Sequence, residues 1–465
     1  MTAVVKTFQT PKGKYVYDRG SDSILAVGNE EFSSLERLES GVADSADWKV
    51  LKRYKNQGYL SENSIKKIAY SETFRYQLSS QLQQLTLQVT HRCNLRCSYC
   101  TYGGGYENQR IHGEKEMLLS TMKKAIDFAM ARSREVNVFT IGFYGGEPLL
   151  EIDKIRQCVE YIKETYDGRE VMYTVTTNGT LLNDQIIRFL SKNNFHLAIS
   201  LDGSKEMHNK NRVYINGQGS FDDIMKNMNY IKEKYSNFFK NISFLTTVAP
   251  GVDFSKVNHF FNEKNVISGN AITCNMVSEL NAKEDVVFDD QYHVTNNYQK
   301  TKVLLAALGL YEKKKVSRLF SRDISRTERF YQDLSKMTPS GTVHPGGPCV
   351  PGALRLFVTV DGVFYPCERV SEDSEVMKIG HVESGFELDK IVKILNVGKL
   401  TERECKKCWN FLHCTLCCAY ADTGGELSKM ERLSYCKSAK NSTLEEMYII
   451  CLLLENGYDF KKKMK

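Results

Sequence analysis

The 465-residue sequence contains no long apolar run. Its longest apolar stretch, MYIICLLL at 447–454, is far shorter than the roughly 18 residues that a membrane-spanning helix needs. The first ten residues, MTAVVKTFQT, lack the apolar centre of a secretory signal peptide. We therefore expect a cytoplasmic protein with no membrane contact, in a compartment where thiols stay reduced.

The sequence also lacks a strong excess of charge of either sign. Its 63 basic and 56 acidic residues leave a formal net charge of +7. Basic residues concentrate at 311–329 and in the tail at 461–465, but neither stretch has the interleaved aromatic residues on which nucleic acid bases stack. We expect no nucleic-acid partner. The two basic stretches are either solvated surface or a contact for an acidic partner.

Proline is scarce, and five of the eight prolines lie between Pro339 and Pro366. Such a concentration predicts irregular loops in this region. The length favours two or three domains rather than one core. We predict units at 1–80, 81–285, 286–340, 341–440 and 441–465.

Residues 1–80 predict a small α+β domain. Alternating apolar residues flank a Pro-Lys-Gly turn, which is typical of a β-hairpin, and SILAV at 23–27 predicts a third strand. Two short helices follow, and Gly41 and Gly58 end them. Three strands followed by short helices resemble a winged-helix domain.

Residues 81–285 alternate strands with helices, so the predicted fold class is α/β. The strands are apolar on both faces, which is typical of buried parallel strands. Their predicted positions are 85–90, 138–146, 171–179, 196–203, 241–250 and 271–279. Six such units predict a partial (β/α)6 barrel with its chemistry at the C-terminal ends of the strands. Residues 286–340 predict a helical bridging region, and 441–465 a C-terminal helix with a basic tail.

Fourteen cysteines in a chain with reduced thiols indicate metal binding rather than disulfides. Cys93, Cys97 and Cys100 follow the first barrel strand with the spacing C-x3-C-x2-C. Zinc prefers four ligands, and His91 is a candidate for the fourth. A [4Fe–4S] cluster held by three thiolates leaves one iron open for a further ligand. The spacing alone leaves both interpretations open.

The cysteine segment, with Tyr99 before its last cysteine, and the sequence GGEP at 145–148 together resemble the radical S-adenosylmethionine (SAM) superfamily. The resemblance implies that the open iron of a [4Fe–4S] cluster binds SAM and that a 5′-deoxyadenosyl radical is produced. Glu147 would accept a hydrogen bond from the SAM ammonium group. Gly145 and Gly146 would let the backbone approach closely.

The same resemblance implies further SAM contacts at the ends of the third and fourth strands. The candidates are Asn178, Ser200 and Arg212, followed by Thr176 and Asp202. Because Asn-Gly and Asp-Gly are also turn formers, a turn or a cap is the competing role for these residues.

The C-terminal cysteines resemble a SPASM domain, which holds two auxiliary [4Fe–4S] clusters, so that the chain would hold three in all. Four residues separate Gly362 from Cys367, and a C-x2-C-x5-C-x3-C segment follows. The resemblance implies that the ligands of the first auxiliary cluster are Cys349, Cys367 and Cys418. It implies that those of the second are Cys405, Cys408, Cys414 and Cys436.

Residues 338–348 contain no cysteine, although some relatives have a further ligand there. The first auxiliary cluster therefore either keeps an open site for a substrate thiolate or is closed by Cys417 or Cys274. The x3 spacing favours Cys418 over Cys417 as its ligand. Cys158, Cys274 and Cys451 fit buried structural thiols.

The whole pattern resembles radical SAM/SPASM maturases of ribosomally made peptides. Many of these enzymes bind the leader of their precursor as an added β-strand on an N-terminal winged-helix-like domain. The architecture is most similar to sactipeptide and ranthipeptide synthases, which bond a Cys sulfur to a carbon of an acceptor residue. We favour the ranthipeptide type, which bonds the β or γ carbon. An external reductant such as flavodoxin or ferredoxin would supply electrons.

Other functions remain alternatives. Carbon–carbon crosslinking, epimerisation and sulfatase maturation use the same architecture, but sulfatase maturases lack a leader-binding domain. A noncatalytic iron–sulfur electron carrier or a zinc scaffold would not need GGEP at a strand end. RNA modification would require an RNA-binding domain, and none is evident in the sequence.

Overall fold

The computed structural model of the chain describes residues 3–62, 64–70, 72–346 and 348–461. Of the predicted basic tail, only Lys461 lies within these ranges. Within them, no helix is both long enough and apolar enough to cross a membrane.

A three-stranded antiparallel sheet and two helices form the N-terminal part of the chain. The bounds of these elements are β1 (Val5–Gln9), β2 (Lys14–Asp18), β3 (Ser23–Val27), α1 (Asn29–Glu39) and α2 (Ser45–Asn56). The strand order is β1-β2-β3. Leu35 of α1 and Leu51 of α2 are fully buried against Val16 of β2 in a small separate core. Gly41 and Gly58 follow the helices with positive φ, a conformation that commonly ends a helix.

Two short elements connect this sheet to the barrel, and they are β4 (Ser64–Ile68) and α3 (Phe74–Ser80). The strands that follow are β5 (Gln84–Thr90), β6 (Leu95–Cys97), β7 (Phe139–Gly145), β8 (Val171–Thr177), β9 (His196–Ser200), β10 (Arg212–Tyr214), β11 (Ser243–Val248) and β12 (Ala271–Met276). Six of them are hydrogen-bonded in parallel in the order β5-β7-β8-β9-β11-β12. This confirms the predicted α/β partial barrel.

Helices cover the outer face of the parallel sheet. They are α4 (Leu119–Met130), α5 (Ile152–Thr165), α6 (Asp184–Lys192), α7 (Lys205–Asn211), α8 (Phe221–Lys234), α9 (Ser236–Phe239) and α10 (Phe254–Asn262). Ile155, Val159 and Ile162 of α5 are buried in one core with Ile141 and Phe143 of β7. Each buried side chain of this kind stabilises the fold by about 1.5–3 kcal/mol. The core fixes the strands and therefore the loops at their ends.

The remaining helices bridge the barrel to the cysteine-rich region and close the chain. They are α11 (Asp290–Ala307), α12 (Asp323–Asp333), α13 (Leu388–Leu395), α14 (Glu402–Cys405), α15 (Lys429–Ser434) and α16 (Cys436–Glu455). The last helix begins at Cys436, so the final cysteine of the SPASM-like pattern is its first residue.

The cysteine-rich region extends the barrel sheet. Its strands are β13 (Ser340–Val343), β14 (Arg355–Val358), β15 (Val363–Tyr365), β16 (Gly380–His381) and β17 (Gly385–Phe386). β14 pairs in parallel with β5, and β15, β16 and β17 add antiparallel strands beyond it. β13 pairs in parallel with β4. The first barrel strand is therefore an interior strand of a ten-stranded sheet.

Candidate active site

The C-x3-C-x2-C cysteines lie on the loop that follows β5. The strand β6 within this loop pairs with β10, so that Cys97 lies opposite Arg212. The Cys93 Sγ accepts a hydrogen bond from the Leu95 N–H at 3.5 Å. The Cys97 carbonyl accepts one from the Cys100 N–H at 3.1 Å. Among the described residues, no three His, Cys, Asp or Glu side chains are grouped closely enough to hold one metal ion.

Gly145 and Gly146 lie where the end of β7 passes the start of the cysteine loop. A Cβ on Gly145 would lie 2.3 Å from the Thr90 carbonyl oxygen, and one on Gly146 2.0 Å from that of Arg92. The Gly146 N–H donates to the Thr90 carbonyl at 2.9 Å, and the Glu147 N–H to the Arg92 carbonyl at 2.8 Å. Only glycine fits at these two positions, because two segments of backbone are in contact.

Glu147 is a buried carboxylate that has no cationic partner among the described residues. Its Oε1 accepts from the Leu149 N–H at 3.1 Å and the Thr177 hydroxyl at 2.7 Å, and its Oε2 from the Asn178 N–H at 2.8 Å. Burial raises the pKa of Glu147 to about 6, although these hydrogen bonds oppose the shift. Oε1 already accepts two hydrogen bonds, whereas Oε2 accepts one and can accept another. A buried anion without a counter-ion fits a cationic group such as the SAM ammonium.

The Asn178 side chain is used within the protein. Its Oδ1 accepts from the N–H of Thr180 at 3.0 Å and from the Thr180 hydroxyl at 2.7 Å. Its Nδ2 donates to Asn94 on the cysteine loop at 2.8 Å. The side chain therefore forms a turn and joins the end of β8 to the cysteine loop, and its contact with SAM stays a prediction. The backbone N–H of Asn178 donates to Glu147.

Thr176 and Ser200 lie on the strand face that lines the inside of the barrel. Their neighbours Val175, Thr177 and Ile199 are buried on the opposite, helix-covered face, whereas Thr176 and Ser200 are half-buried. Within the described ranges the Ser200 hydroxyl forms no hydrogen bond. It is therefore available to a ligand at the C-terminal end of the barrel.

A buried network joins the cysteine loop to the ends of β9 and β10. Asp202 Oδ2 accepts from the Tyr99 hydroxyl and, at 2.8 Å, from Arg212 Nε, and Oδ1 accepts from the Thr247 N–H at 2.9 Å. The Arg212 guanidinium lies 5.4 Å from the centre of the Tyr99 ring and 3.9 Å from Cys97 Sγ. Burial lowers the pKa of Arg212, but Asp202, Tyr99 and Cys97 together outweigh it and the net shift is upward. A permanent cation therefore lies beside one of the three thiols.

Two residues that the sequence did not single out hold this network in place. The His208 Nδ1 accepts from the Asp202 N–H at 3.2 Å, so its proton is on Nε2, which donates to Ser220 at 2.9 Å. The Ser220 hydroxyl in turn donates to the Arg212 carbonyl at 3.0 Å. Burial lowers the pKa of His208 to about 4, which keeps it neutral. The available signal was its place in HNKNR, the segment that contains Arg212.

A second buried network connects the inside of the barrel to the cysteine-rich region. Glu372 accepts from Arg110 Nε at 2.9 Å and from Gln88 Nε2 at 2.8 and 2.7 Å. Gln88 also accepts from the Val360 N–H at 3.2 Å. Sequence reasoning missed these residues, because they belong to no motif and are far apart along the chain.

The four cysteines predicted for the second auxiliary cluster lie in one part of the structure, and their ligand role stays a prediction. They are Cys405, Cys408, Cys414 and Cys436; burial raises the pKa of each thiol, and repulsion from another thiol of the set adds to the shift. Arg19 and Arg432 are buried beside them, and neither has a carboxylate partner among the described residues. Buried cations without a counter-ion are costly. The pair therefore fits an anionic centre built from thiolates.

Of the cysteines predicted for the first auxiliary cluster, Cys367 and Cys418 lie near each other with Cys417 beside them. Cys349 and Cys417 are exposed. Of the three predicted structural thiols, Cys158 and Cys451 are buried. The third, Cys274 in β12, was predicted to be buried but is only half-buried, because β12 is the last strand of the open barrel.

Comparison with known proteins supports a radical SAM site. The radical SAM superfamily model matches residues 87–263. The cysteine-type anaerobic sulfatase-maturating enzyme of Clostridium novyi (strain NT) is 30% identical over 310 residues, which are 65% of this chain and 77% of that enzyme. The enzyme of the same name from Clostridium perfringens (strain 13 / Type A) is 26% identical over 77% of this chain and 94% of its own.

Among solved structures, native anSMEcpe with bound AdoMet and Cp18Cys peptide is similar with a TM-score of 0.56 and 21% identity. The match covers 80% of this chain and 99% of that one. At this identity the likeness shows a shared fold.

Proposed function

We propose a specific reaction for this chain, which belongs to the radical SAM enzymes related to the anaerobic sulfatase-maturating enzymes. The reaction is the formation of thioether bonds in a ribosomally made, leader-bearing, cysteine-rich precursor peptide. A Cys sulfur is bonded to a carbon of an acceptor residue, with the β or γ carbon favoured over the α carbon. The observation that carries the proposal is the open edge of the N-terminal sheet, which precedes the family match at 87–263.

The two outer edges of this sheet differ. The edge of β1 is covered, because the Thr7 N–H donates to Glu39 of α1 at 2.8 Å and Lys6 pairs with the same carboxylate at 2.6 Å. No strand in the described ranges pairs with the outer edge of β3. An unpaired edge accepts an extended peptide as a further strand. β3 is therefore the proposed binding strand for the leader.

The surroundings of β3 favour an acidic, partly apolar leader. Leu25 and Val27 of β3 are half-buried and pack in the same small core as Trp48 of α2. The exposed face of α2 carries several cations, and the Lys55 Nζ lies 5.3 Å from the Trp48 ring. The other exposed cations of this helix are Lys49, Lys52 and Arg53.

The residues of the barrel fit the proposed cofactors. Cys93, Cys97 and Cys100 would hold the SAM-binding [4Fe–4S] cluster, and Glu147 would accept from the SAM ammonium group. When bound, these groups supply the radical that removes a hydrogen atom from the acceptor carbon, and the auxiliary clusters supply an acceptor for the second electron. Joining sulfur to carbon removes one hydrogen from each atom, so the peptide is oxidised by two electrons.

The number of protein ligands on the first auxiliary cluster determines whether the donor sulfur of the substrate can bind to it. With Cys349, Cys367 and Cys418 as ligands, one iron stays open and can bind the thiolate of the substrate. Cys417 is the competing fourth ligand, because it lies beside Cys367 and Cys418. Ligation by three cysteines would support thiolate binding, and a fourth protein thiolate would count against it.

Sulfatase maturation is the second candidate function. It is favoured by the names of the relatives in Clostridium novyi and Clostridium perfringens. The two functions differ in their substrate. A thioether synthase requires a leader and forms a crosslink, whereas a sulfatase-maturating enzyme acts on a sulfatase.

The test is an anaerobic assay of the reconstituted enzyme with SAM, a reductant and a cysteine-rich peptide encoded next to its gene. Tandem mass spectrometry should show a loss of about two mass units per crosslink, since each coupling removes two hydrogens. The cysteines involved should no longer react with an alkylating agent. The same peptide without its leader should be a poor substrate, and Cys93→Ala should be inactive.

Two outcomes would contradict the proposal. Unchanged precursor mass with continued deoxyadenosine production would mean that the peptide or the reaction is wrong. Modification of a leaderless sulfatase peptide, without a crosslink, would favour sulfatase maturation instead.

A further inference from the structure

The loop between β2 and β3 packs directly against the segment that carries Cys405, Cys408 and Cys414. Arg19 and Asp22 of this loop are 2% and 0% exposed, although they lie in a turn of a small peripheral sheet. Their polar groups are directed at residues almost 400 positions later in the chain. The N-terminal sheet and the cysteine segment therefore share one buried interface.

Arg19 binds the backbone around two of the cysteines. Its Nη1 donates to the carbonyl oxygens of Lys406 and Cys408, at 2.8 and 3.1 Å. Its guanidinium lies over the Phe411 ring, with 6.0 Å between the guanidinium carbon and the ring centre. No carboxylate in the described part of the chain is within ion-pair distance of it. A buried guanidinium that binds only carbonyl groups needs a negative charge nearby. Cys408 and, more weakly, the Asp18 carboxylate both act on Arg19 electrostatically.

Asp22 fixes the other end of the segment. Its Oδ1 accepts from the His413 Nε2 at 2.7 Å and from the Tyr17 hydroxyl at 2.8 Å. The His413 ring is enclosed by Tyr17 and Phe330, whose ring centres lie 5.9 and 4.7 Å away. His413 immediately precedes Cys414. Asp22 itself has a φ of +51°, a conformation that a non-glycine residue adopts at a cost.

We propose that the β2–β3 loop is part of the binding site of the second auxiliary cluster. Arg19 supplies a buried positive charge to the cluster, and Asp22 positions Cys414 through His413. The proposal rests on the proposed function only in that Cys405, Cys408, Cys414 and Cys436 hold an auxiliary cluster, and on neither the leader nor the thioether reaction. The N-terminal sheet is thereby attached directly to the segment that would hold this cluster.

The charge of Arg19 has a measurable consequence. A cluster with four thiolate ligands is an anion, and reduction adds a further negative charge. The net charge around such a cluster helps to set its reduction potential. A buried cation at short range stabilises the reduced form more than the oxidised form. Removal of the Arg19 charge should therefore make reduction of this cluster less favourable.

The test is a redox titration of the reconstituted full-length holoenzyme, followed by electron paramagnetic resonance. Loss of a signal in Cys436→Ser identifies the second auxiliary cluster. Arg19→Gln should make reduction of this cluster at least about tenfold less favourable, which corresponds to about 59 mV for one electron. Arg19→Lys, which keeps the charge, should retain most of the wild-type potential. Asp22→Asn should speed the loss of this cluster to a chelator.

The matched control is Arg37→Gln in the same N-terminal unit. Arg37 donates to Asp47 at 2.9 Å and makes no contact with the cysteine segment, so its replacement should leave the potential unchanged. If Arg19→Gln loses the second auxiliary cluster altogether, about four irons per chain should disappear while the SAM-binding cluster remains. That result would also support the proposal.

Wild-type potential and wild-type iron content in Arg19→Gln would overturn the proposal. A wild-type protein with no signal that depends on Cys436 would overturn both the ligand assignment and the role of Arg19. If the potential shifts as expected but no precursor is crosslinked, the proposed reaction fails and the role of Arg19 stands.

Discussion

The hydroxyl of Tyr99 donates a hydrogen bond to the carboxylate of Asp202. Tyr99 lies between the second and third cysteines of the radical SAM segment, and Asp202 follows the end of β9. The same carboxylate pairs with Arg212, which reaches the Cys97 thiol. One buried acid therefore positions both an aromatic ring and a cation beside the proposed cluster.

The first prediction concerns this acid. Asp202→Asn keeps the shape of the side chain but leaves Arg212 as a buried charge without a partner. Removal of one member of a buried ion pair costs about 3–5 kcal/mol of stability. We expect a loss near the lower end of this range in the free energy of unfolding, measured by chemical denaturation of the cluster-free protein. SAM cleavage by the holoenzyme should also fall.

Asp222→Asn is the matched control. Asp222 pairs with Lys205 at 2.5 Å, but both side chains are largely exposed, at 68% and 61%. Exposed pairs contribute about 0–1 kcal/mol. Equal destabilisation by Asp202→Asn and Asp222→Asn would contradict the role that we assign to the buried network.

Much of the barrel could be predicted from the sequence, because its signals are local. The strands of the barrel are apolar runs of five to seven residues flanked by helices, and a parallel strand order follows from that alternation. GGEP was placed correctly at the end of β7, where Gly145 and Gly146 contact the cysteine loop. The three strands and two helices of the N-terminal unit were marked by a turn and by Gly41 and Gly58.

Contacts between distant, short segments could not be predicted. β4 pairs with β13 across more than 270 residues, and both strands are short and largely polar. The contact of Arg19 with the Cys408 segment has no periodic signal at either end. Asn178 shows a different limit, since the sequence does not reveal that its backbone N–H donates to Glu147. Such roles depend on tertiary packing, which a local pattern does not encode.

The second prediction is a pH dependence of SAM binding. The pKa of Glu147 is raised to about 6 by burial, and the ionised form is the one that accepts from the SAM ammonium. As the pH falls below 6, the carboxylate is protonated and the Kd for SAM should rise about tenfold per pH unit. Above pH 6 it should be constant until the ammonium group itself titrates near pH 8. Equilibrium dialysis with reconstituted enzyme would measure this.

Substitution of Glu147 distinguishes protonation of this carboxylate from a general loss of protein stability at low pH. Glu147→Gln should weaken SAM binding by about 1.5–3 kcal/mol at neutral pH, the usual contribution of a hydrogen bond to a charged group. It should also abolish the rise in the Kd for SAM below pH 6. Glu151→Gln alters a neighbouring buried acid that already pairs with Arg92 and Lys154. This control should keep the wild-type pH profile, and a profile that stays unchanged in Glu147→Gln would refute the assignment.

The third prediction tests strand addition at β3. A leader that pairs with this edge donates backbone N–H groups, and proline has none to donate. Proline placed at successive positions of a fluorescent leader should abolish binding at alternate positions of one segment, because successive N–H groups point to opposite sides of a strand. Fluorescence anisotropy with the wild-type enzyme gives the affinities. A leader whose binding is indifferent to proline at every position would exclude this mode.

The fourth prediction concerns the contact between β7 and the cysteine loop. A Cβ on Gly146 would lie 2.0 Å from the Arg92 carbonyl oxygen and 2.5 Å from its carbon. These are backbone atoms of the segment that enters the cysteine loop, so they cannot turn aside as a flexible side chain would. Overpacking typically costs about 1–3 kcal/mol, and here the strain falls on the position of Cys93. Gly146→Ala should therefore lose the SAM-binding cluster, about four irons per chain, while the auxiliary clusters remain.

Gly105→Ala is the control for this substitution, because it lies on the same long loop beyond Cys100. Its added Cβ would meet nothing within 4 Å, and its φ is not in the left-handed region. The iron content and the electron paramagnetic resonance spectrum of the reduced protein should be unchanged in Gly105→Ala. Deoxyadenosine production should continue. Should Gly146→Ala retain all of its iron and still cleave SAM, the backbone contact would not be what positions the cysteines. The loop would then be held by its other contacts, which include the network of Tyr99, Asp202 and Arg212 and the hydrogen bond from Asn178 to Asn94.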